Sequence, residues 1–176
     1  MRSSYAQLNV IQVSLALALA LAIALVAATN AQAKSTSKNA QVDALLAKDV
    51  APQGVVFELI SGDPKTWVWA SPMLVEFRAR LRAKFADLDV VVVSHGAEQF
   101  QLMASRTKEQ PAAIAQLADL ASEGVNVHVC GVHSSWRDVP QSAYLHFVDV
   151  SASGPAQIND YVALGYELII LDRPDD

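Results

Sequence analysis

The sequence has a single cysteine, Cys130, among its 176 residues. A disulfide within the chain is therefore excluded, and such a thiol is buried, reactive or bonded to another molecule. Basic residues are also few, since 13 Lys and Arg face 18 Asp and Glu and give a formal net charge of −5. An acidic chain of this kind is poorly suited to bind nucleic acid or anionic membrane surfaces.

Several motifs of common enzymes are missing as well. The segment His95-Gly96-Ala97 lacks the further glycines and the lysine that hold nucleotide phosphates. The sequence contains no Gly-x-Ser-x-Gly nucleophile elbow and no convincing pair of catalytic carboxylates. Hydrolase chemistry is therefore disfavoured, and we predict no cofactor.

The longest apolar run lies near the amino end, from Val13 to Ala28. It follows a polar opening that contains Arg2, and it precedes Ala31-Gln32-Ala33, a pattern of small residues typical of a cleavage site. We predict a signal peptide over residues 1–33 and a periplasmic or secreted protein. The alternative is an uncleaved membrane anchor. The mature chain of roughly 140 residues suits one compact domain.

Residues 34–53 are expected to form a polar leader and a short helix. They begin with small polar residues and then place Val42, Leu45, Leu46 and Val50 at roughly helical spacing.

Residues 54–176 alternate short apolar runs with amphipathic segments, which is typical of a single α/β domain. Runs of β-branched and other apolar residues bounded by Gly, Pro or Ser predict five strands. These strands are expected at about 55–60, 90–93, 125–130, 147–150 and 168–171. The alternation predicts a three-layer α/β/α fold with a mostly parallel five-stranded sheet and right-handed crossovers.

The segment between the first two strands contains two tryptophans and a helix signal. Ser71-Pro72 has the character of a helix cap followed by a first-turn proline, which leaves Trp67 and Trp69 in a preceding loop. Trp67, Trp69 and Phe100 are therefore candidates for an apolar surface through which the domain associates.

The stretch from Gly124 to Gly131 holds the candidate site. Three valines alternate with three other residues, so a period of two puts the valines on one face and His128 with Cys130 on the other. Cys130 then lies at the carboxyl end of a strand, where reactive groups collect in open α/β sheets. The next segment, which contains His133, is able to begin a helix whose backbone N–H groups favour a thiolate. The candidate catalytic residues are Cys130, His128 and His133.

Two other interpretations of these residues remain open. Cys130 is able to serve as a small buried core residue, which is the commonest role of an unpaired cysteine. His128, Cys130 and His133 also offer two imidazoles and a thiolate to zinc or copper. No fourth ligand is evident, however, and the spacing matches no standard zinc module. We therefore predict no metal, and keep a metal site as an alternative.

The chain resembles the DsrE/DsrF-like family over roughly residues 55–171. The resemblance is carried by residues 91–96 with the segment 100–102, by the stretch 124–131, and by Ser153-Gly154 and Gly165-Tyr166. That family contains small α/β proteins of sulfur oxidation and of the sulfur relay used in tRNA thiolation.

The resemblance implies a function for the cysteine. In the family, a single cysteine carries sulfur as a persulfide between partner proteins, and Cys130 falls on the position of that cysteine. The resemblance also implies donor and acceptor proteins as partners and a homo-oligomer, either a trimer or a hexamer. The expected function is thus an exported sulfur carrier or thiol redox protein, similar to a sulfurtransferase. The alternative is an exported oligomeric binding module with an inert cysteine.

The first testable prediction concerns export. Cleavage after Ala33 leaves Lys34 as the first residue of the mature protein, because the small-residue pattern ends there. Mass spectrometry of the protein from its native host measures this directly. A protein that begins at Met1 and stays in the membrane would show that the segment is an anchor.

Overall fold

The computed structural model describes residues 39–174, so the predicted signal peptide lies outside the described part. The strands are β1 (Gly54–Leu59), β2 (Asp89–Ser94), β3 (Asn126–Cys130), β4 (Val148–Ser151) and β5 (Tyr166–Ile170). The helices are α1 (Ala40–Leu46), α2 (Thr66–Lys84), α3 (Pro111–Ser122), α4 (Gly131–Ser135) and α5 (Gly154–Ala163). Between residues 39 and 174, no helix has the length and apolar character needed to span a membrane.

The five strands form one sheet in the order β4-β3-β2-β1-β5, and every neighbouring pair is parallel. Alternate side chains of the strands separate into two apolar clusters. Phe57, Val92 and Val127 pack with α1, α2 and α3 on what we call the first face. Val56 and Val91 pack with Ile158 of α5 on the second face. The predicted three-layer α/β class with a parallel five-stranded sheet is confirmed.

The chain reverses its direction across the sheet between β4 and β5. Strands β1 to β4 follow one another, whereas β5 returns to the other side of β1. The connection after β3 packs on the first face through Tyr144 and Phe147. Helix α5 leaves β4 on the second face. The carboxyl ends of β3 and β4 therefore form a topological switch point, where open α/β sheets bind ligands.

Helix α2 begins earlier than the sequence predicts. It starts at Thr66, so Ser71 is not its cap and Pro72 lies inside the helix. The side chain of Thr66 donates to Ser61 Oγ and to the Asp63 carbonyl, and these bonds organise the turn before the helix. Pro72 has no N–H to donate to the Val68 carbonyl, which therefore lacks its helical hydrogen bond. The helix tolerates this because Pro72 and Val68 both lie on its exposed side.

The early start of α2 also changes the position of the tryptophans. Trp67 is fully buried, and its indole N–H donates to the Glu98 carbonyl at 3.0 Å. Phe100 is buried as well, and Trp69 packs against the core from a half-buried position. The prediction that these three aromatic residues form an exposed association surface is therefore wrong for Trp67 and Phe100.

Helix α1 covers the outer edge of the sheet. Asn39 caps it by accepting from the backbone N–H of Gln41 at 2.9 Å. The Gln41 side chain accepts in turn from the N–H of Ile170 on the edge strand β5, also at 2.9 Å. The helix ends at Leu46, so Val50 lies beyond it and is exposed, contrary to the predicted stripe.

Candidate functional site

Cys130 joins a strand to a helix at the switch point. It is the last residue of β3 and the cap residue of α4. As the alternation predicts, Val127 and Val129 lie in the first-face cluster, so His128 and Cys130 face α5. Cys130 is a free thiol that is only 5% exposed.

The backbone of Cys130 is held by a buried amide. Gln99 accepts from the Cys130 N–H at 3.1 Å and donates to the Cys130 carbonyl at 3.2 Å. Ser134 donates to the same carbonyl at 2.9 Å, and its hydroxyl also lies 2.8 Å from the Tyr144 hydroxyl. These side chains are all buried, so their hydrogen bonds fix the position from which the thiol projects.

Tyr144 presents a neutral hydroxyl near the thiol. Burial raises the pKa of Tyr144, and a charge on Cys130 would raise it further. Hydrogen bonds with Ser134 and Gln99 and the charge of Arg137 act in the opposite direction. Tyr144 therefore stays protonated at neutral pH.

The amino end of α5 lies against the thiol. A Cβ added to Gly154, the first residue of α5, would lie 3.3 Å from Cys130 Cβ. Ser153 precedes the helix without a side-chain cap, and Pro155 has no N–H. The amino end of α5, which carries the partial positive charge of a helix terminus, thus lies close to Cys130.

Three polar side chains form a row along the carboxyl ends of β1, β2 and β3. The residue pairs Glu58–Val93 and Ser94–Val129 set the register, and the His95 N–H continues the ladder by donating to the Leu59 carbonyl at 3.1 Å. Glu58, His95 and Cys130 alternate away from the first-face residues and so share the second face. His95 Nε2 lies 2.8 Å from Glu58 Oε1.

Gly154 connects this row to α5. Its added Cβ would lie 2.6 Å from His95 Cβ and 3.0 Å from His95 Cγ, in addition to its contact with Cys130. The side chains of His95 and Cys130 therefore contact the same glycine. Only a residue without a side chain fits between them.

His128 is held away from proton transfer by its partners. Its Nε2 lies 3.0 Å from the Tyr161 hydroxyl on α5. Burial lowers the pKa of His128 below its usual value, and the charge of Asp149 opposes that change only in part. His128 is therefore mainly neutral at pH 7, and it supplies no positive charge to the thiol.

His133 lies on α4, and its ring contacts the row at the backbone carbonyl of His95. Its Nδ1 lies 3.1 Å from the His95 carbonyl, which has no hydrogen to give, so Nδ1 is the donor. The His133 ring packs edge-on against Phe100, with centroids 4.9 Å apart, and lies 5.4 Å from the ring of Trp136. His133 thus links Cys130's helix to the end of β2.

The alternative of a metal site is not supported by the arrangement of these groups. Within the described residues, no three His, Cys, Asp or Glu side chains come close enough together to hold a metal ion. His128 is directed to Tyr161, and His133 to a carbonyl.

The sequence patterns single out Cys130, His128 and His133, but not Glu58, His95 or Gln99. One signal does point to His95, which directly follows the run of valines in β2. If β2 and β3 are parallel neighbours, the residues that end them meet at one edge of the sheet. Glu58 and Gln99 have no comparable local signal, because their positions depend on strand register and on the path of the 3₁₀ turn after β2.

Residues 74–171 match the model of the DsrE/DsrF-like family. The fold is also similar to that of MTH1491 from Methanobacterium thermoautotrophicum, described as a protein of unknown function, with a TM-score of 0.54 and 20% identity. That similarity covers 66% of this chain and 97% of the other, and at this identity it concerns the fold alone. No match was found among curated proteins.

The contact at Gly154 leads to a prediction about stability. In Gly154→Ala the new methyl carbon would lie 2.6 Å from His95 Cβ. His95 Cβ is bonded directly to the backbone just after β2, so it yields less easily than the far end of a flexible side chain. We expect the free energy of unfolding to fall by about 1–3 kcal/mol, the usual effect of overpacking. Denaturant unfolding followed by circular dichroism measures it.

Gly62→Ala is the matched control. An added Cβ at Gly62 meets nothing within 4 Å, so its effect is expected to stay within about 0.5 kcal/mol in either direction. Equal stability of the two variants would mean that the close approach of α5 to His95 and Cys130 is not present in solution.

Proposed function

The chain belongs to the DsrE/DsrF-like family, and from that membership we propose that it is a sulfur carrier that acts through Cys130. Cys130 takes sulfane sulfur from a donor protein, holds it as a persulfide and passes it to an acceptor protein. The observation that carries the proposal is the position of the only cysteine, at the carboxyl edge of the sheet and against the amino end of a helix.

The surroundings of Cys130 suit this chemistry. The thiolate is the nucleophile in sulfur transfer, and a helix amino end stabilises it. A terminal persulfide also carries negative charge when ionised, so the same helix end favours the loaded form. Gln99 and Ser134 hold the backbone of Cys130, and Tyr144 in turn holds Ser134, which keeps Cys130 in one place during both halves of the cycle.

The surface beside the thiol supports transfer between proteins. Trp136 follows α4 and is 74% exposed, and Val132 on α4 is also exposed. Arg137 lies 4.3 Å from the centre of the Phe100 ring and adds a positive charge to this rim. Large exposed aromatic groups of this kind often anchor protein partners. A donor or acceptor that binds here lies next to the helix that directly follows Cys130.

The proposal includes export and self-association. The carrier works in the periplasm or outside the cell, as residues 1–33 suggest. The exposed apolar residues Ile60, Leu164 and Ile170 lie near the β1–β5 side of the domain, and a trimer or hexamer would bury them.

The burial of Cys130 favours one alternative. A cysteine that is 5% exposed in a well-packed domain is also what an inert core residue looks like. In that case the protein is a binding module without thiol chemistry. Alkylation by a charged reagent separates the two functions, because an inert thiol reacts only after denaturation.

The central test follows sulfur itself. We expect the reduced protein to gain one sulfur atom, about 32 Da, when it is incubated with a polysulfide or a persulfidated donor. Intact mass spectrometry measures the gain under native conditions. Cys130 is the only thiol of the chain, so the added sulfur is expected there as a persulfide. A reductant breaks the sulfur–sulfur bond and must remove that sulfur again.

Cys130→Ser is the control, because it keeps the size of the side chain and removes the sulfur acceptor. A wild-type protein that gains no sulfur, or a mutant that gains as much as wild type, would reject the carrier function in favour of the inert binding module.

A further inference from the structure

The row of Glu58, His95 and Cys130 has the order of an orienting carboxylate, a base and a nucleophile. We propose that His95, oriented by Glu58, takes the proton of the Cys130 thiol and returns it to the leaving group during sulfur transfer. This inference rests on the proposed function, because it assigns the proton path of that same reaction.

Glu58 determines which nitrogen of His95 remains for the thiol. It binds Nε2 at 2.8 Å from β1, on the side of β2 that is away from β3. Nδ1 is bonded to Cγ, the ring atom 3.0 Å from the added Gly154 Cβ, and that same position is 3.3 Å from Cys130 Cβ. Nδ1 is therefore the ring nitrogen nearer to the β3 side.

The carboxylate also sets the tautomer of the ring. An ionised Glu58 accepts a hydrogen bond and so keeps the proton on Nε2, which leaves the lone pair on Nδ1. The pair is largely shielded from solvent, with side-chain exposures of 12% for His95 and 18% for Glu58. A shielded carboxylate stabilises the imidazolium that forms when Nδ1 accepts a proton.

The reaction balances without an external oxidant. The Cys130 thiol gives its proton to His95 Nδ1 while its sulfur attacks the outer sulfur of a donor persulfide. The sulfur–sulfur bond of the donor breaks, a new one forms on Cys130, and the donor leaves as a thiolate that takes the proton from His95. One persulfide and one thiol are consumed, and one of each is produced.

Other titratable and charged groups also surround Cys130 and His95. They are Glu98 after β2, His128 on β3, His133 and Arg137 after β3, Tyr144 before β4, Asp149 on β4 and Tyr161 on α5. Glu98 is bound by three donors, from Ser61, Ser94 and Gly96. His128 faces Tyr161, and His133 already donates from the nitrogen that it directs to His95. His95 is thus the imidazole that is held by a carboxylate and that contacts Gly154 together with Cys130.

The test compares the pH dependence of Cys130 alkylation by neutral iodoacetamide in four proteins: wild type, His95→Gln, Glu58→Gln and His146→Gln. His146 is the matched control, since it is exposed and precedes the amino end of β4, at the opposite edge of the sheet. We expect His95→Gln to slow alkylation at pH 7 by at least about tenfold, given the usual size of general-base effects. Glu58→Gln should give a smaller loss, and His146→Gln none.

The high-pH limit separates proton transfer from access. Once the thiol is fully ionised, a base is no longer needed, so the wild-type and His95→Gln rates should converge. A His95→Gln rate equal to wild type at every pH, or reduced by the same factor at every pH, would overturn the inference. Glu58→Gln is close in shape to wild type and decides the question if His95→Gln does not fold.

Sulfur loading of the same proteins distinguishes this inference from the carrier function. If wild type gains no sulfur but its alkylation depends on His95 as expected, the carrier function fails and His95 remains the base for Cys130. If wild type and His95→Gln gain sulfur at equal rates and with the same pH profile, the carrier function stands and the inference fails.

Discussion

The parallel register of β1, β2 and β3 is the constraint on which the site depends. It places Glu58, His95 and Cys130 at one edge and on one face, although they are far apart in the sequence. A slip of β2 by one residue would turn His95 to the first face and remove it from α5. The valines of β2 are buried on both faces, so such a slip would also disturb two apolar clusters at once. Core packing thus fixes the geometry of the polar row.

The site combines a buried thiol with an exposed segment that follows it directly in the chain. The burial of Cys130 limits the access of oxidants to its thiol. The five-residue helix α4 and its exposed neighbour Trp136 lie directly after Cys130. Gln99 holds the Cys130 backbone on the other side.

Local features were predictable from the sequence, and features that arise from packing were not. The valine run of β2, the alternation before Cys130 and the glycines Gly124 and Gly165, both with positive φ, depend on neighbouring residues alone. The start of α2 does not, because burial of the Trp67 indole outweighs the helix signal at Ser71-Pro72. His95 and Glu58 join Cys130 only through strand register. The sequence therefore predicts the candidate cysteine and its strand, but not that Glu58 and His95 lie at the same edge of the sheet.

A crystal structure of the protein after treatment with polysulfide tests the central claim most directly. The account predicts density for one additional sulfur bonded to Cys130 Sγ at about 2 Å, next to the amino end of α5 and the His95 ring. An unmodified Cys130 in protein exposed to excess polysulfide, with β3 and α4 otherwise unchanged, would contradict a role for this thiol in carrying sulfur.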